Sequence, residues 1–175
     1  MLRPFGSNER WEPPLVWRQA WVDAMDLWEV SWPEPYRLVQ NEGRGLIMQG
    51  THEWQDYEVE AAITPWLMDA GGITARVQGL KRFYALQLGK GNKVRLVKAL
   101  DGDTILGEKD FEWEIQSSYT LKMEVSGNRI KAWVDGQLQF DTVDEHKPLL
   151  RGGVAYVVDQ GHVSSQAMTI KPIQD

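Results

Sequence analysis

Three carboxylates stand at alternate positions in the run EWQDYEVEAAI: Asp56, Glu58 and Glu60. Alternate residues of a β-strand point to one face and lie roughly 6.6 Å apart, a separation that the catalytic carboxylate pair of a glycosidase can use. The spacing therefore permits a glycoside hydrolase. A second interpretation is a strand with one solvated face, because the interleaved Tyr57 and Val59 are apolar and belong to the opposite face.

Charge is segregated along the chain just after this run. Residues 76–98 hold seven basic side chains and no acidic one, whereas residues 101–114 hold six acids and one lysine. A local basic patch could attract an anionic ligand. Alternatively, the two blocks pair with each other across neighbouring strands. The basic residues are Arg76, Lys81, Arg82, Lys90, Lys93, Arg95 and Lys98.

A flat polar surface is predicted around Arg76, which shares its strand parity with Thr74 and Gln78 and is expected to face Gln87 on the next strand. Guanidinium and amide groups suit sugar hydroxyls or a phosphate. The alternative for Arg76 is a structural role in bracing the sheet. Trp133 lies on the parity opposite Ala132 and Val134, so its ring is expected on an outer face, where it could stack on a sugar. The predicted ligand-binding residues are Arg76, Gln78, Gln87, Arg95 and Trp133.

The elements that would position these residues are short β-strands. Period-two alternation or β-branched runs predict strands at residues 37–39, 46–49, 57–63, 72–77, 83–88, 93–99, 104–109, 119–125, 129–134, 137–142, 153–158 and 166–170. Turn sequences such as Ser126-Gly127-Asn128 and Asp135-Gly136 separate them. The pattern predicts an all-β, two-sheet antiparallel jelly-roll sandwich over residues 31–175. Residues 1–30 are predicted to be an irregular or helical strap or linker, with a first strand as the alternative for residues 17–30.

Composition excludes several kinds of site. The chain of 175 residues has a formal net charge of −6 and no cysteine, which argues against nucleic-acid binding and rules out thiol chemistry. His52, His146 and His162 lack metal-ligand spacing, and we expect neither metal nor cofactor. No apolar run reaches the length of a membrane span and the N-terminus lacks a signal-peptide core. We therefore expect no membrane partner, and a cytoplasmic location unless the domain was excised from an exported protein.

Two series of motifs resemble a known superfamily. They are WQDYEVE, GGITAR and FYALQL in the first half, and GNRIKAWVDG with GGVA in the second. Over about residues 36–170 the chain resembles the concanavalin A-like lectin/glucanase superfamily, in its laminin-G-like jelly-roll branch. That resemblance implies the sandwich fold. It implies no single function, since the fold hosts lectins, glucanases and protein-binding domains. The glucanases carry alternate Glu, Asp and Glu on one strand, and the order Asp56, Glu58, Glu60 departs from that motif.

A narrower resemblance covers ARVQGLKRFYALQL and RLVKALDGDTILGEKDFEWE. These runs are similar to the β-sandwich appended C-terminally to some bacterial ADP-ribosylglycohydrolase-family proteins. The resemblance implies an accessory domain of a larger hydrolase and implies no activity for this chain itself.

The function predicted from the sequence is non-catalytic recognition of a carbohydrate, glycoside or anionic sugar derivative on a concave sheet face. A structural or protein-interaction domain that packs on its parent enzyme is the alternative. The third hypothesis is a glycoside hydrolase that uses Asp56, Glu58 and Glu60.

Overall fold

The computed structural model describes residues 16–173, which contain a short 3-10 helix (Val16–Ala20) and eleven antiparallel strands. The strands are β1 (Val22–Ala24), β2 (Leu27–Ser31), β3 (Glu34–Gln49), β4 (Tyr57–Gly79), β5 (Arg82–Gly89), β6 (Lys93–Leu100), β7 (Asp103–Asp110), β8 (Tyr119–Ser126), β9 (Arg129–Val134), β10 (Gln137–Val143) and β11 (Gly153–Pro172). The all-β prediction is confirmed.

The strands form two sheets of seven strands each, because β3, β4 and β11 each belong to both sheets. What we call the front sheet runs in the order β1, the second half of β3, the first half of β11, the second half of β4, then β5, β6 and β7. The back sheet runs β2, the first half of β3, the second half of β11, the first half of β4, then β8, β9 and β10. The predicted jelly-roll sandwich is therefore correct.

The three shared strands change sheets at sites of irregular backbone. The pairing of β11 with β3 shifts between Asp159 and Gly161, and Gln160 between them has a φ of 39°. A Cβ on Gly161 would lie 2.3 Å from the Cα of Met68 on β4, so only glycine lets the two strands approach this closely. Predicted strands that looked separate in sequence are joined through these crossings into single long strands.

The core fills the space between the sheets with alternate apolar side chains of every long strand. Ile73 and Leu86 of the front sheet and Val59 and Met123 of the back sheet are fully buried there. A second, smaller apolar cluster lies on the outer face of the front sheet and consists of Leu46, Val77, Phe83, Ala85, Val97, Ala99, Ala155 and Val157. The front sheet is therefore apolar on both faces, unlike a strand layer with one wet side.

The segment that precedes β3 belongs to the sandwich by its contacts. β1 pairs with the second half of β3 and β2 with the first half. Trp21 stacks on Tyr156 with ring centroids 5.9 Å apart, and Trp28 stacks on Tyr36 at 5.7 Å. For residues 17–30 the structure has the 3-10 helix up to Ala20 and then β1 and β2, so the strand alternative is correct from Val22 onward. The predicted strap of residues 1–30 thus contributes two strands, and its first fifteen residues lie outside the described part of the chain.

Candidate functional site

A groove runs across the outer face of the front sheet, beside the β4–β5 and β6–β7 turns. It consists of three adjoining depressions of about 500, 550 and 170 Å³. The first two share Lys81 and Asp101, and the second and third share His52 and Gln78. The floor is apolar, since Leu46 and Ala99 line the first depression and Met48 and Val77 the third. The rim is polar, as expected of a ligand site.

Arg44 holds the deep side of the groove together. Its Nε donates to Asp159 Oδ1 at 2.7 Å, and its Nη1 and Nη2 donate to the two oxygens of Asp103 at 2.9 and 2.8 Å. Burial alone would lower the pKa of Arg44, but the hydrogen bonds to Asp159 and Asp103 raise it above its usual range. The guanidinium also lies over the Phe83 ring, 5.5 Å from its centroid. Arg44 is therefore a fixed positive charge with its acceptors already in place.

The contact between Arg44 and Asp103 shows how strongly the front sheet is curved. β11, β4, β5 and β6 lie between β3, which carries Arg44, and β7, which carries Asp103. In a flat sheet those two strands would be about 24 Å apart, far beyond the reach of one arginine side chain. The β6–β7 end of the sheet therefore curls over its own outer face and makes that face concave.

Three of the predicted ligand residues lie on this face. Gln78 lines two of the depressions and donates from Nε2 to Arg151 O at 2.9 Å. Gln87 is 2% exposed and donates to Asp159 Oδ2 at 3.3 Å, which ties it to the Arg44 network. Arg95 pairs in register with Gln87 and donates to Glu108 Oε2 at 2.6 Å. The structure thus brings Gln78, Gln87 and Arg95 to one sheet face.

Arg76 is not on that face. The chain leaves regular pairing between Ala75 and Gly79, and Arg76 has a φ of 55°, so the expected alternation with Gln78 does not apply and Gln87 pairs instead with Gly72. The Arg76 side chain points into the end of the sandwich with no exposed surface.

The donors of the Arg76 guanidinium are all engaged inside the protein. They bond to Gln55 O at 2.8 Å, Gly127 O at 2.5 Å, Leu149 O at 2.7 Å and Asp56 Oδ1 at 3.0 Å. Burial lowers the pKa of Arg76, and the charges of Tyr57 and Asp56 offset part of that effect. Arg76 therefore braces the end of the sandwich, which is the structural alternative given for it in the sequence analysis.

Trp133 lies on an outer face as predicted, but on the back sheet. It pairs with Lys122 on β8, whose Nζ sits 4.9 Å from the centroid of the indole. A surface that combined Trp133 with Gln78 and Gln87 is therefore absent, since the two sheets face in opposite directions.

The three alternate carboxylates do not converge on one cleft. Asp56 Oδ1 accepts from Arg76 and from the backbone N–H of Gly127, both at 3.0 Å. Glu58 forms an ion pair with Lys122 at 3.4 Å on the outer face of the back sheet, and Glu60 is in register with the same lysine. Asp56 lines a pocket that neither glutamate lines. This is the pattern of a solvated strand face with a separate structural acid.

The basic block is largely neutralised by ion pairs. Apart from Lys81, each of its members pairs with an acid: Arg76 with Asp56, Arg82 with Asp101, Lys90 with Asp69, Lys93 with Asp110, Arg95 with Glu108 and Lys98 with Asp144. Three of those acids lie in the block of residues 101–114 that follows in sequence. The structure therefore favours the cross-strand pairing interpretation over a free basic patch.

The residues that sequence reasoning missed are Arg44, Asp103 and Asp159. Arg44 lies 59 residues from Asp103 and 115 from Asp159, so no local pattern connects them. The one local signal is the sequence Gly43-Arg44-Gly45, which isolates a charged residue within a strand.

Among residues 16–173 there is no group of three His, Cys, Asp or Glu side chains that could hold a metal ion. Over the same described range, no helix combines the length and the apolar character needed to cross a membrane.

Comparison with known proteins gives the fold. No protein-family model and no curated protein matches the sequence. Among solved structures, the carbohydrate-binding module CBM66 from Bacillus subtilis is similar with a TM-score of 0.78, 22% identity, and coverage of 87% of this chain and 95% of that one. The galectin LEC-6 from Caenorhabditis elegans has a TM-score of 0.55 at 12% identity, covering 82% and 99%. The GH43 protein BlXynB from Bacillus licheniformis has a TM-score of 0.66 at 11% identity, covering 88% and 37%.

The fold is that of the concanavalin A-like lectins and glucanases. It confirms the sandwich fold that the superfamily resemblance implies, and the laminin-G-like branch stays a prediction. The likeness to the sandwich of ADP-ribosylglycohydrolase-family proteins is not addressed by these structures and stays a prediction.

Proposed function

We propose that this concanavalin A-like domain recognises carbohydrate without catalysing a reaction, and that the groove on the concave front sheet is its binding site. The observation that carries the proposal is the groove itself, with an apolar floor at Leu46 and Ala99 beneath a rim of amide, ammonium and carboxylate groups. A sugar ring has apolar C–H faces and a belt of hydroxyls, so it can use both parts.

The charges around the groove favour a neutral sugar over an anionic derivative. Arg44, Lys81 and Arg82 contribute three positive charges, and Asp101, Asp103 and Asp159 contribute three negative ones. Arg44 and Arg82 are already bound to these carboxylates. Among the described groove residues, Lys81 is therefore the one cation outside an ion pair that an anion could contact.

The absence of catalysis is part of the proposal. The two groove carboxylates nearest the open rim, Asp101 and Asp103, are each engaged by an arginine at 2.8 to 2.9 Å. They are suited to accept hydrogen bonds from hydroxyl groups. A hydrolase would need two carboxyl groups facing a glycosidic bond from opposite sides.

We further propose that the domain serves a larger hydrolase as an accessory module. The similar region of BlXynB makes up 37% of a longer chain described as a GH43 protein, and CBM66 is described as a carbohydrate-binding module. An ADP-ribosylglycohydrolase-like parent is the specific version that the sequence runs suggest.

The test is isothermal calorimetry with fructosides, glucans, neutral monosaccharides, glucuronate and ADP-ribose against the wild type and Gln78→Ala. Gln137→Ala is the matched control, because Gln137 is an exposed glutamine on β10 of the back sheet. We expect saturable binding of a neutral sugar that Gln78→Ala weakens about tenfold and Gln137→Ala leaves unchanged.

Two results would refute the proposal. One is no heat with any neutral sugar from a folded protein, which would favour the structural or protein-interaction alternative. The other is tighter binding of ADP-ribose or glucuronate than of every neutral sugar. The interaction alternative has no support from an exposed tryptophan-rich patch, because Trp32 at 40% exposure is the most exposed tryptophan among residues 16–173.

A further inference from the structure

A second pocket, of about 500 Å³, opens at the end of the sandwich where the two sheets separate. Its walls are Trp54, Tyr57, Ile170 and Pro172, and its polar groups come from Gln49, Gln55 and Asp56. We call it the mouth pocket. It lies on the other side of the 50–56 loop from the third depression of the groove, and Gln49 lines both.

Trp54 is held in this pocket by contacts of both its backbone and its ring. Its carbonyl accepts from the N–H of Gly152 at 2.9 Å, and its ring meets the Tyr57 ring edge to face with centroids 6.0 Å apart. Gly50 has a φ of 106°, and a Cβ there would lie 2.7 Å from the indole. The backbone therefore makes room for the ring to lie against it, and the indole is a preorganised apolar surface.

The polar groups of the mouth pocket offer acceptors. Gln49 Oε1 is buried and receives no hydrogen bond from the described residues. Asp56 uses Oδ1 for Arg76 and for the N–H of Gly127. Its Oδ2 receives no hydrogen bond within the described part of the chain, and the side chain is 51% exposed. Buried acceptors are normally satisfied, so this pocket suits a ligand that donates.

The cation that contacts Asp56 cannot serve a ligand. Arg76 lies behind Asp56 with a side chain 1% exposed, and its Nε, Nη1 and Nη2 are all bonded to protein oxygens. An anionic ligand would therefore meet the Asp56 carboxylate without a compensating charge from Arg76. What fits is a small neutral molecule with an apolar face for the indole and several hydroxyl donors.

From this geometry we propose that the mouth pocket is a second binding site, which takes one neutral sugar ring. The ring stacks on Trp54 and donates hydroxyl hydrogen bonds to Gln49 Oε1 and Asp56 Oδ2. Among the described residues Gln49 is the one lining residue that the two sites share, so the mouth pocket can bind whether or not the groove does.

The experiment labels the protein with 5-fluorotryptophan and follows the fluorine spectrum during titration with fructose, glucose, xylose and sucrose, and with glucuronate as the anion. The Trp54 signal is identified by its loss in Trp54→Phe. We expect at least one neutral sugar to shift that signal saturably and glucuronate to leave it in place. Gln49→Met keeps the length of the side chain and removes the acceptor, and we expect it to weaken the neutral sugar about tenfold while the protein stays folded.

Gln78→Ala separates the two sites. It removes a groove side chain, so the shift at Trp54 should persist in it. If calorimetry detects sugar binding that Gln78→Ala abolishes, while the Trp54 signal does not shift, the groove proposal is supported and the mouth-pocket proposal is refuted. The proposal is also overturned if no neutral sugar shifts Trp54, if glucuronate shifts it with equal affinity, or if Gln49→Met binds as the wild type does.

Discussion

At the scale of single residues, Arg76 shows that burial decides what a charged side chain can do. Its guanidinium has no exposed surface and bonds to three backbone carbonyls and one carboxylate. Arg76→Met would leave Leu149 O, the most buried of those acceptors, without its donor, and a buried acceptor left unsatisfied costs about 1–3 kcal/mol. We expect a loss of that size in the free energy of unfolding, measured by urea denaturation. Arg76→Lys should not restore the lost stability, because one ammonium group cannot reach all four acceptors that the guanidinium binds.

The matched comparison for Arg76 is Arg82→Met. Arg82 pairs with Asp101 at 2.9 Å, but both side chains are more than half exposed. Exposed pairs contribute about 0–1 kcal/mol. Equal losses for the two variants would contradict the bracing role of Arg76.

His162 is predicted to make stability depend on pH. Its ring stacks on Trp66 with centroids 5.3 Å apart. Burial lowers the pKa of His162, the charge of Arg37 lowers it further, and Glu34 and Glu29 oppose both effects. A histidine with a lowered pKa binds fewer protons folded than unfolded, so stability falls as the pH drops below about 6.5, the unfolded value.

We therefore expect the urea midpoint of the wild type to decrease from pH 7 to pH 5, and His162→Gln to flatten that dependence. His146→Gln is the control, because His146 lies exposed in the β10–β11 connection. If the urea midpoint of His162→Gln depended on pH as that of the wild type does, the titration of His162 would not be coupled to folding.

At the scale of elements, the sequence predicts which residues are strands but not how the strands connect. The predicted strands at residues 57–63 and 72–77 are the two halves of β4, and the sequence pattern predicts no strand for the interval between them. Between the two halves the core-facing positions shift from Ile63 to Met68 and back to Ile73, because the pairing with β11 is irregular there. The period-two signal is therefore lost there, although backbone pairing continues.

The candidate site could be predicted only in part for the same reason. Alternation along β5 predicts the face of Gln87, which pairs with Gly72. Gln78 reaches the same face although β4 leaves regular pairing between Ala75 and Gly79. Arg44 meets Asp103 and Asp159 only because the front sheet curls, and that curvature is a property of all seven strands together. Arg76 deviates from alternation through one positive φ value, which no neighbouring glycine or turn residue signals.

The connection between β10 and β11 is anchored by one buried ion pair. Asp144 Oδ2 lies 2.6 Å from both Lys98 Nζ and Tyr84 Oη, and Tyr84 in turn accepts from the N–H of Leu149 at 2.9 Å. Burial alone would raise the pKa of Asp144, but the hydrogen bonds from Lys98 and Tyr84 lower it below its usual value. The stability from Asp144 is therefore present above about pH 4, the unfolded value, and is lost as the pH falls through the lower folded pKa.

Asp144→Asn should destabilise the protein by about 3–5 kcal/mol at pH 7, because it leaves Lys98 buried without its charge partner. The difference from the wild type should shrink as the pH is lowered from 7 towards 2 and the wild-type carboxylate takes up its proton. Urea titrations at both pH values measure this. Asp141→Asn is the control, since Asp141 pairs with an exposed arginine, Arg129. If the stability difference between Asp144→Asn and the wild type were the same at both pH values, the ion pair would not explain it.

At the scale of the whole molecule, the open question is where the folding unit begins. The sequence predicts a domain boundary at residue 30, whereas β1, β2 and three buried tryptophans lie before it. Trp17, Trp21 and Trp28 are 4–6% exposed and pack on Tyr36 and Tyr156. This cluster closes the core where the front and back sheets share β3 and β11.

Deletion of residues 1–31 would remove that cluster together with the two strands that cover β3. Truncating one buried tryptophan costs about 3–5 kcal/mol, so the loss of three is comparable to the whole stability of a domain, about 5–15 kcal/mol. We expect the shortened chain to lack a cooperative thermal transition by circular dichroism. Trp28→Ala in the full chain should lower the free energy of unfolding by several kcal/mol, while Trp32→Ala at a 40% exposed position should change it much less. A cooperative transition in the shortened chain would establish residue 30 as the boundary and make the tryptophan cluster an addition to a core that is complete without it.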